Sequence, residues 1–176
     1  MPEADLGDIQ GDILRAYGSD YDCTSYAFVR IECPPEQARA WFAGLVDHVT
    51  TAAPWNPGEK PLTTLNVAVT AAGLRALGVS KEVVGSFSTE FRQGMAARSE
   101  RLGDVGPSDP ATWEGGLGSG EAHVLLTINA QQTSEHRRAL GKMRAAMDAA
   151  GGLRIVHQED TELLPGSREH FGYADG

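Results

Sequence analysis

Two cysteines in 176 residues leave no room for a disulfide framework. Cys23 and Cys33 flank a predicted strand, too far apart along it to bridge, and read as reduced, packed thiols. Basic residues are also scarce: 15 Lys and Arg stand against 24 Asp and Glu, for a net charge of −9. With no basic run to offset it, that balance argues against nucleic acid or an anionic membrane as the main partner. No apolar stretch approaches the roughly 20 residues that span a bilayer. The start, Met1-Pro2-Glu3-Ala4-Asp5, is acidic and lacks the apolar core of a signal peptide, so the expected location is cytoplasmic. There is no G-x-S-x-G, no phosphate-binding glycine loop before a helix and no telling carboxylate pair. The five histidines, His48, His123, His136, His157 and His170, include no i, i+4 helical pair and no histidine–cysteine cluster. No metal site is expected among them.

What is present describes a globular chain. Apolar residues make up 41% and charged residues 22%, and this length buries a core without staples. Residues 1–22 read as an extended arm anchored by Ile9, Ile13 and Leu14; 23–176 read as one domain. Tyr26–Ile31 is an aromatic and β-branched strand ending at Pro34-Pro35. Ala38, Trp41, Phe42, Leu45, Val46 and Val49 form the stripe of a helix over 36–49. Thr64–Val69 is a second strand, with Leu65, Val67 and Val69 on one face. Thr70 caps a helix that carries Leu74 and Leu77 inward and stops at Gly78. A further helix is predicted over 81–102, buried through Val84, Phe87, Phe91 and Met95. The stretch 104–120 is rich in Gly and Pro and reads as a long loop, either functional or a surface loop anchored by Trp113. Strands at 123–128 and 153–157 flank a helix at 135–150 with Leu140, Met143, Met147 and Ala150 inward. Strand–helix–strand twice predicts an α+β, ferredoxin-like fold: an antiparallel four-stranded sheet with helices packed on one face.

The last seven residues, His170-Phe171-Gly172-Tyr173-Ala174-Asp175-Gly176, set a carboxylate between an alanine and a glycine, after two aromatics. Glycines let a flat or bulky group approach the main chain. Asp-Gly is equally a common turn pair, so the local sequence leaves both readings open.

Asp8-Ile9-Gln10-Gly11-Asp12-Ile13-Leu14, then Leu65–Thr70 followed by Gly73–Gly78, then Gly172-Tyr173-Ala174-Asp175-Gly176 occur in one order. That order resembles the amino-terminal half of the dye-decolorizing peroxidases, a family of haem enzymes. Phe91-Arg92-Gln93-Gly94-Met95 and Leu102-Gly103-Asp104 add to the likeness, which covers nearly the whole chain. The resemblance implies a ferredoxin-like half, haem b as cofactor, and hydrogen peroxide with an aromatic reductant as substrates. It implies that Asp175, in the family's G-x-x-D-G motif, is the distal acid/base, and that Phe171, Gly172, Tyr173, Ala174 and Gly176 line the cofactor. The histidine that ligates iron belongs to a second half, expected outside this chain as a missing carboxy-terminal half or a partner chain. Trp55, Trp113 and the tyrosines are candidate electron relays from bulky dyes. The rival expectation is a non-catalytic module that dimerises, or pairs with a separate chain, through an exposed apolar face and sheet edge.

Overall fold

Every second side chain of a strand points to the same face, and the sheet of this protein is sorted by that rule. The computed structural model describes residues 4–14, 21–162, 164, 171 and 173. Its strands are β1 (Cys23–Ile31), β2 (Thr63–Val69), β3 (Val124–Ala130) and β4 (Leu153–Glu162), all paired antiparallel in the order β2–β3–β1–β4. Its helices are α1 (Gly11–Leu14), α2 (Pro35–Val46), α3 (Ala71–Ala76), α4 (Lys81–Ser86), α5 (Thr89–Gln93), α6 (Ser99–Leu102) and α7 (Thr133–Ala150). The units β1–α2–β2 and β3–α7–β4 give the expected ferredoxin-like α+β arrangement.

Register decides which residues share a row across the sheet. Val69, Val124, Val29 and Ile155 form one row, and Val67, Leu126 and Ala27 the next. Trp41 and Leu45 of α2 and Met143 and Met147 of α7 close over these rows and make the core. Burying each such side chain contributes roughly 1.5–3 kcal/mol. Pro35 occupies the first turn of α2, where its missing N–H costs nothing. Thr70, Ser80 and Ser88 accept hydrogen bonds that start α3, α4 and α5.

The outer edge of β2 is sealed. Gln10 donates to the Val67 carbonyl at 2.7 Å and accepts from the Val67 N–H at 2.7 Å, so its amide acts as one peptide of a neighbouring strand. Thr50 does the same for Leu65 through its N–H and hydroxyl. The outer edge of β4 has no strand partner among the described residues.

Several elements depart from expectation. The helix predicted over 81–102 is broken into α4, α5, a 3₁₀ turn and α6. Phe87 turns extended (ψ 160°) and Gly94 adopts φ 74°, and each stops a helix. Its stripe is therefore not continuous: Val84 is buried, whereas Phe87 is 43% and Met95 61% exposed. The stretch 104–120 is not structureless but holds three 3₁₀ segments. α2 ends at Val46, which is exposed. β1 begins at Cys23, so that thiol lies inside the strand and is buried; both cysteines are free. β4 runs five residues beyond its predicted end, to Glu162. Among the described residues no helix is long and apolar enough to cross a membrane.

Candidate functional site

The face of the sheet turned away from α2 and α7 is graded. One row reads Thr64–Asn129–Thr24, the next Asn66–Thr127–Tyr26–Glu159, and the third Ala68–Leu125–Phe28–His157. The first row is a hydrogen-bonded ladder: Asn129 donates to Thr64 at 2.9 Å and accepts from Thr24 at 2.7 Å. The third row is apolar from Ala68 to Phe28, where an antiparallel sheet usually presents polar groups to water.

The segment between α3 and β3 stands over that apolar row without filling the space above it. Phe91, Met95, Trp113 and Leu117 form walls around a cavity of about 720 Å³ whose floor is Phe28, Ala68 and Leu125. The roof is pinned. Trp113 donates its indole N–H to the Ser108 carbonyl at 2.9 Å. Gly115, at φ 60°, lies directly on the His157 ring, and a side chain there would collide with it. His157 in turn packs against Phe28, ring centroids 5.8 Å apart. The polar groups on the lining are few: Thr70, Glu90, Gln93 and Arg98.

The terminal motif lies mostly outside the described residues, which exclude His170, Gly172, Ala174, Asp175 and Gly176. Phe171 and Tyr173 are described and strongly exposed, at 87% and 76%. Neither stands on the cavity lining. Trp41 is core, as expected, and Trp113 is a wall of the cavity. Phe28, Ala68 and Leu125 were not singled out in the sequence. The signal was there: Phe28 and Leu125 are apolar at outward positions of their strands, which a one-sided sheet does not require.

A serine, a histidine and an aspartate meet elsewhere, on the helix side. Ser25 donates to Asp160, and its oxygen lies 2.8 Å from His136 Nε2. With the hydroxyl proton directed to Asp160, His136 donates to Ser25, so the imidazole does not act as a base on that serine. Ser25 is also completely buried. The cluster continues through Gln158, which donates to Asp160 at 2.8 Å and accepts from Arg144 at 2.8 Å. It ties α7 to β1 and β4 and is structural. No group of three or more His, Cys, Asp or Glu among the described residues is placed to hold a metal ion.

Two titrating groups in this frame point the same way. Burial, joined by the Arg30 charge, holds His123 below its ordinary 6.5 against the pull of Glu121 and Glu32; its Nδ1 accepts from the Ile31 N–H at 3.1 Å. Burial opposes the charged form of Asp160. The hydrogen bonds from Ser25 and Gln158 and the charges of His136 and Arg144 outweigh it and keep the carboxyl below 3.8. Both folded pKa values are depressed, so the unfolded chain binds more protons and stability is lost as pH falls. Urea midpoints should decline below pH 6.5 as His123 protonates, and again below 3.8 through Asp160. Ser25→Ala should shrink the second decline only; an unchanged acid limb would remove Asp160 from the account.

A family model described as the DyP dimeric alpha+beta barrel domain matches residues 8–158. The chain is 23% identical over 176 residues to a dye-decolorizing peroxidase of Mycena epipterygia, covering 98% of this chain and 31% of that protein. It is 27% identical over 177 residues to the dye-decolorizing peroxidase msp1 of Mycetinis scorodonius, covering 97% and 32%. A crystal structure of a DyP superposes with a TM-score of 0.80 at 25% identity, over 99% of this chain and 37% of that one. A decolorizing peroxidase from Auricularia auricula-judae superposes with the same score at 21% identity, over 98% and 37%. The chain spans about a third of the length of the curated relatives it matches.

Proposed function

From the premise that this chain belongs to the dye-decolorizing peroxidase family, as its amino-terminal, dimeric α+β barrel domain, we propose that it works in a haem peroxidase that uses hydrogen peroxide to oxidise dyes or phenolic compounds. The observation that carries this reading is the family match over 8–158, followed in the sequence by the G-x-x-D-G run of Gly172–Gly176. Haem, when bound, supplies the iron and the redox chemistry. The fit of the described residues to haem is partial. Phe171, just before the motif, and Tyr173, within it, offer bare aromatic surface, but the lining of the open-face cavity carries no imidazole and no thiolate to ligate iron. As the family resemblance implies, the iron ligand in this reading belongs to a second half, as further chain or as a partner.

In this reading Phe171, Gly172, Tyr173, Ala174 and Gly176 border the haem edge. The Asp175 carboxylate would accept a proton from one oxygen of hydrogen peroxide and return it to the other, and haem, when bound, would supply the two electrons that O–O cleavage needs. An optical haem titration tests the division of labour. The chain alone should give no stoichiometric Soret band and no peroxide-dependent dye oxidation, and addition of a haem-ligating half should produce both. A sharp band with turnover from the chain alone would overturn the assignment of the ligand.

A further inference from the structure

We propose that the roofed cavity on the open face of the sheet is a binding site for a planar aromatic molecule carrying one anionic group. The argument begins with packing. Apolar floor and apolar walls normally meet; here Phe28, Ala68 and Leu125 face Phe91, Met95, Trp113 and Leu117 across open space. Facing surfaces that stop short of contact forfeit their dispersion energy, and water in the gap makes few hydrogen bonds. The unfilled volume of about 720 Å³ lies within the roughly 300–1,000 Å³ of small-molecule sites.

The lining selects the class of ligand. Three aromatic rings, from Phe28, Phe91 and Trp113, and the Met95 thioether offer flat, polarizable surface suited to a ring system. The walls are also fixed before a ligand arrives. Phe91 packs against Phe87 with centroids 4.8 Å apart and the rings tilted by 33°, Trp113 is held by the Ser108 carbonyl, and Gly115 rests on His157. A preformed site loses little entropy on binding.

The charge follows from Arg98. It is half-buried on the lining, acts on Glu90 through space, and forms no ion pair within 4.0 Å among the described residues. Glu90 is exposed, so solvent screens it more than Arg98. A carboxylate or sulfonate on the ring's edge would meet the guanidinium with its ring on the floor.

Titration calorimetry of this chain with naphthalene-2-sulfonate, and with 2-naphthol as the uncharged ring, tests the site. Both should bind saturably, one to one. Met95→Trp adds a ring from an exposed wall position and should weaken both by about tenfold or more, because it occupies the void. Arg98→Gln should weaken the sulfonate by about tenfold and 2-naphthol by less than about twofold, because only the charged hydrogen bond is removed. Thermal melts matching the parent chain establish that both variants are folded. No saturable heat with either probe, or binding that survives Met95→Trp, would overturn the site. An equal response of the two probes to Arg98→Gln would overturn the anionic specificity.

Discussion

Asp175→Asn, tested in the haem-loaded pair of this chain with its haem-ligating half, should lower peroxide-dependent dye oxidation by roughly 10²–10⁴-fold, the range spanned by general acid–base groups. The substitution keeps the size and planarity of the side chain and removes its ability to take up and return a proton. Haem affinity, read at the Soret band, should stay unchanged, because an amide has nearly the size and shape of the carboxylate it replaces. The reaction with peroxide should slow, while later oxidation of the dye, started with already oxidised enzyme, should not. This split separates proton transfer from a role in placing the haem. A loss under about tenfold would return Asp175 to the ordinary turn that Asp-Gly pairs make.

Gly73→Ala should destabilise the domain by about 3 kcal/mol, the upper end of overpacking costs. Gly73 is buried in the first turn of α3, where its N–H donates to Thr70 Oγ1 at 3.0 Å. A methyl group there would land on the backbone carbonyl of His123 and crowd Val69 Cγ1 at 2.9 Å. The contact is with main chain, so no rotamer relieves it; α3 must lift from the start of β3. Thr70, Ala71, Ala72 and Ala122 sit on either side of that junction and line the open-face cavity, so the cavity should deform as well. For a chain of this length the expected fall in Tm is roughly 6–12 °C. Gly44→Ala is the opposing control. Gly44 lies on the exposed side of α2 with nothing within 4 Å of an added Cβ, and alanine there should stabilise by about 0.5–1 kcal/mol. Equal effects at the two positions would mean that helix propensity, not the approach of β3, governs Gly73.

The sequence by itself determined the elements whose side chains repeat with a clear period. Trp41 and Leu45 in α2, and Met143 and Met147 in α7, recur at helical spacing, and Leu65, Val67 and Val69 alternate along β2. Each pattern is local, because an amphipathic element has only one face to bury. The terminal G-x-x-D-G run was equally legible, as a motif and not as geometry. Two features were written locally but less loudly. Ser80 and Ser88 cap two separate helices within the stretch that reads as one, and outward apolar residues at Phe28 and Leu125 mark a face in need of cover.

Only the tertiary structure decided the rest. Gln10 became a surrogate peptide for β2, 57 residues away. Gly73 became obligatory because β3 passes beside it, and Ser25 was paired with His136 and Asp160 across more than a hundred residues. Ala68, Leu125 and Phe28 became one cavity floor only when the strands locked in register. A slip of one residue would send all three to the other side of the sheet. Register is set by the summed fit of every pair along a strand, together with the turns and edge contacts that hold it. No local stretch contains that sum, which is why the core was readable from the chain and the cavity was not.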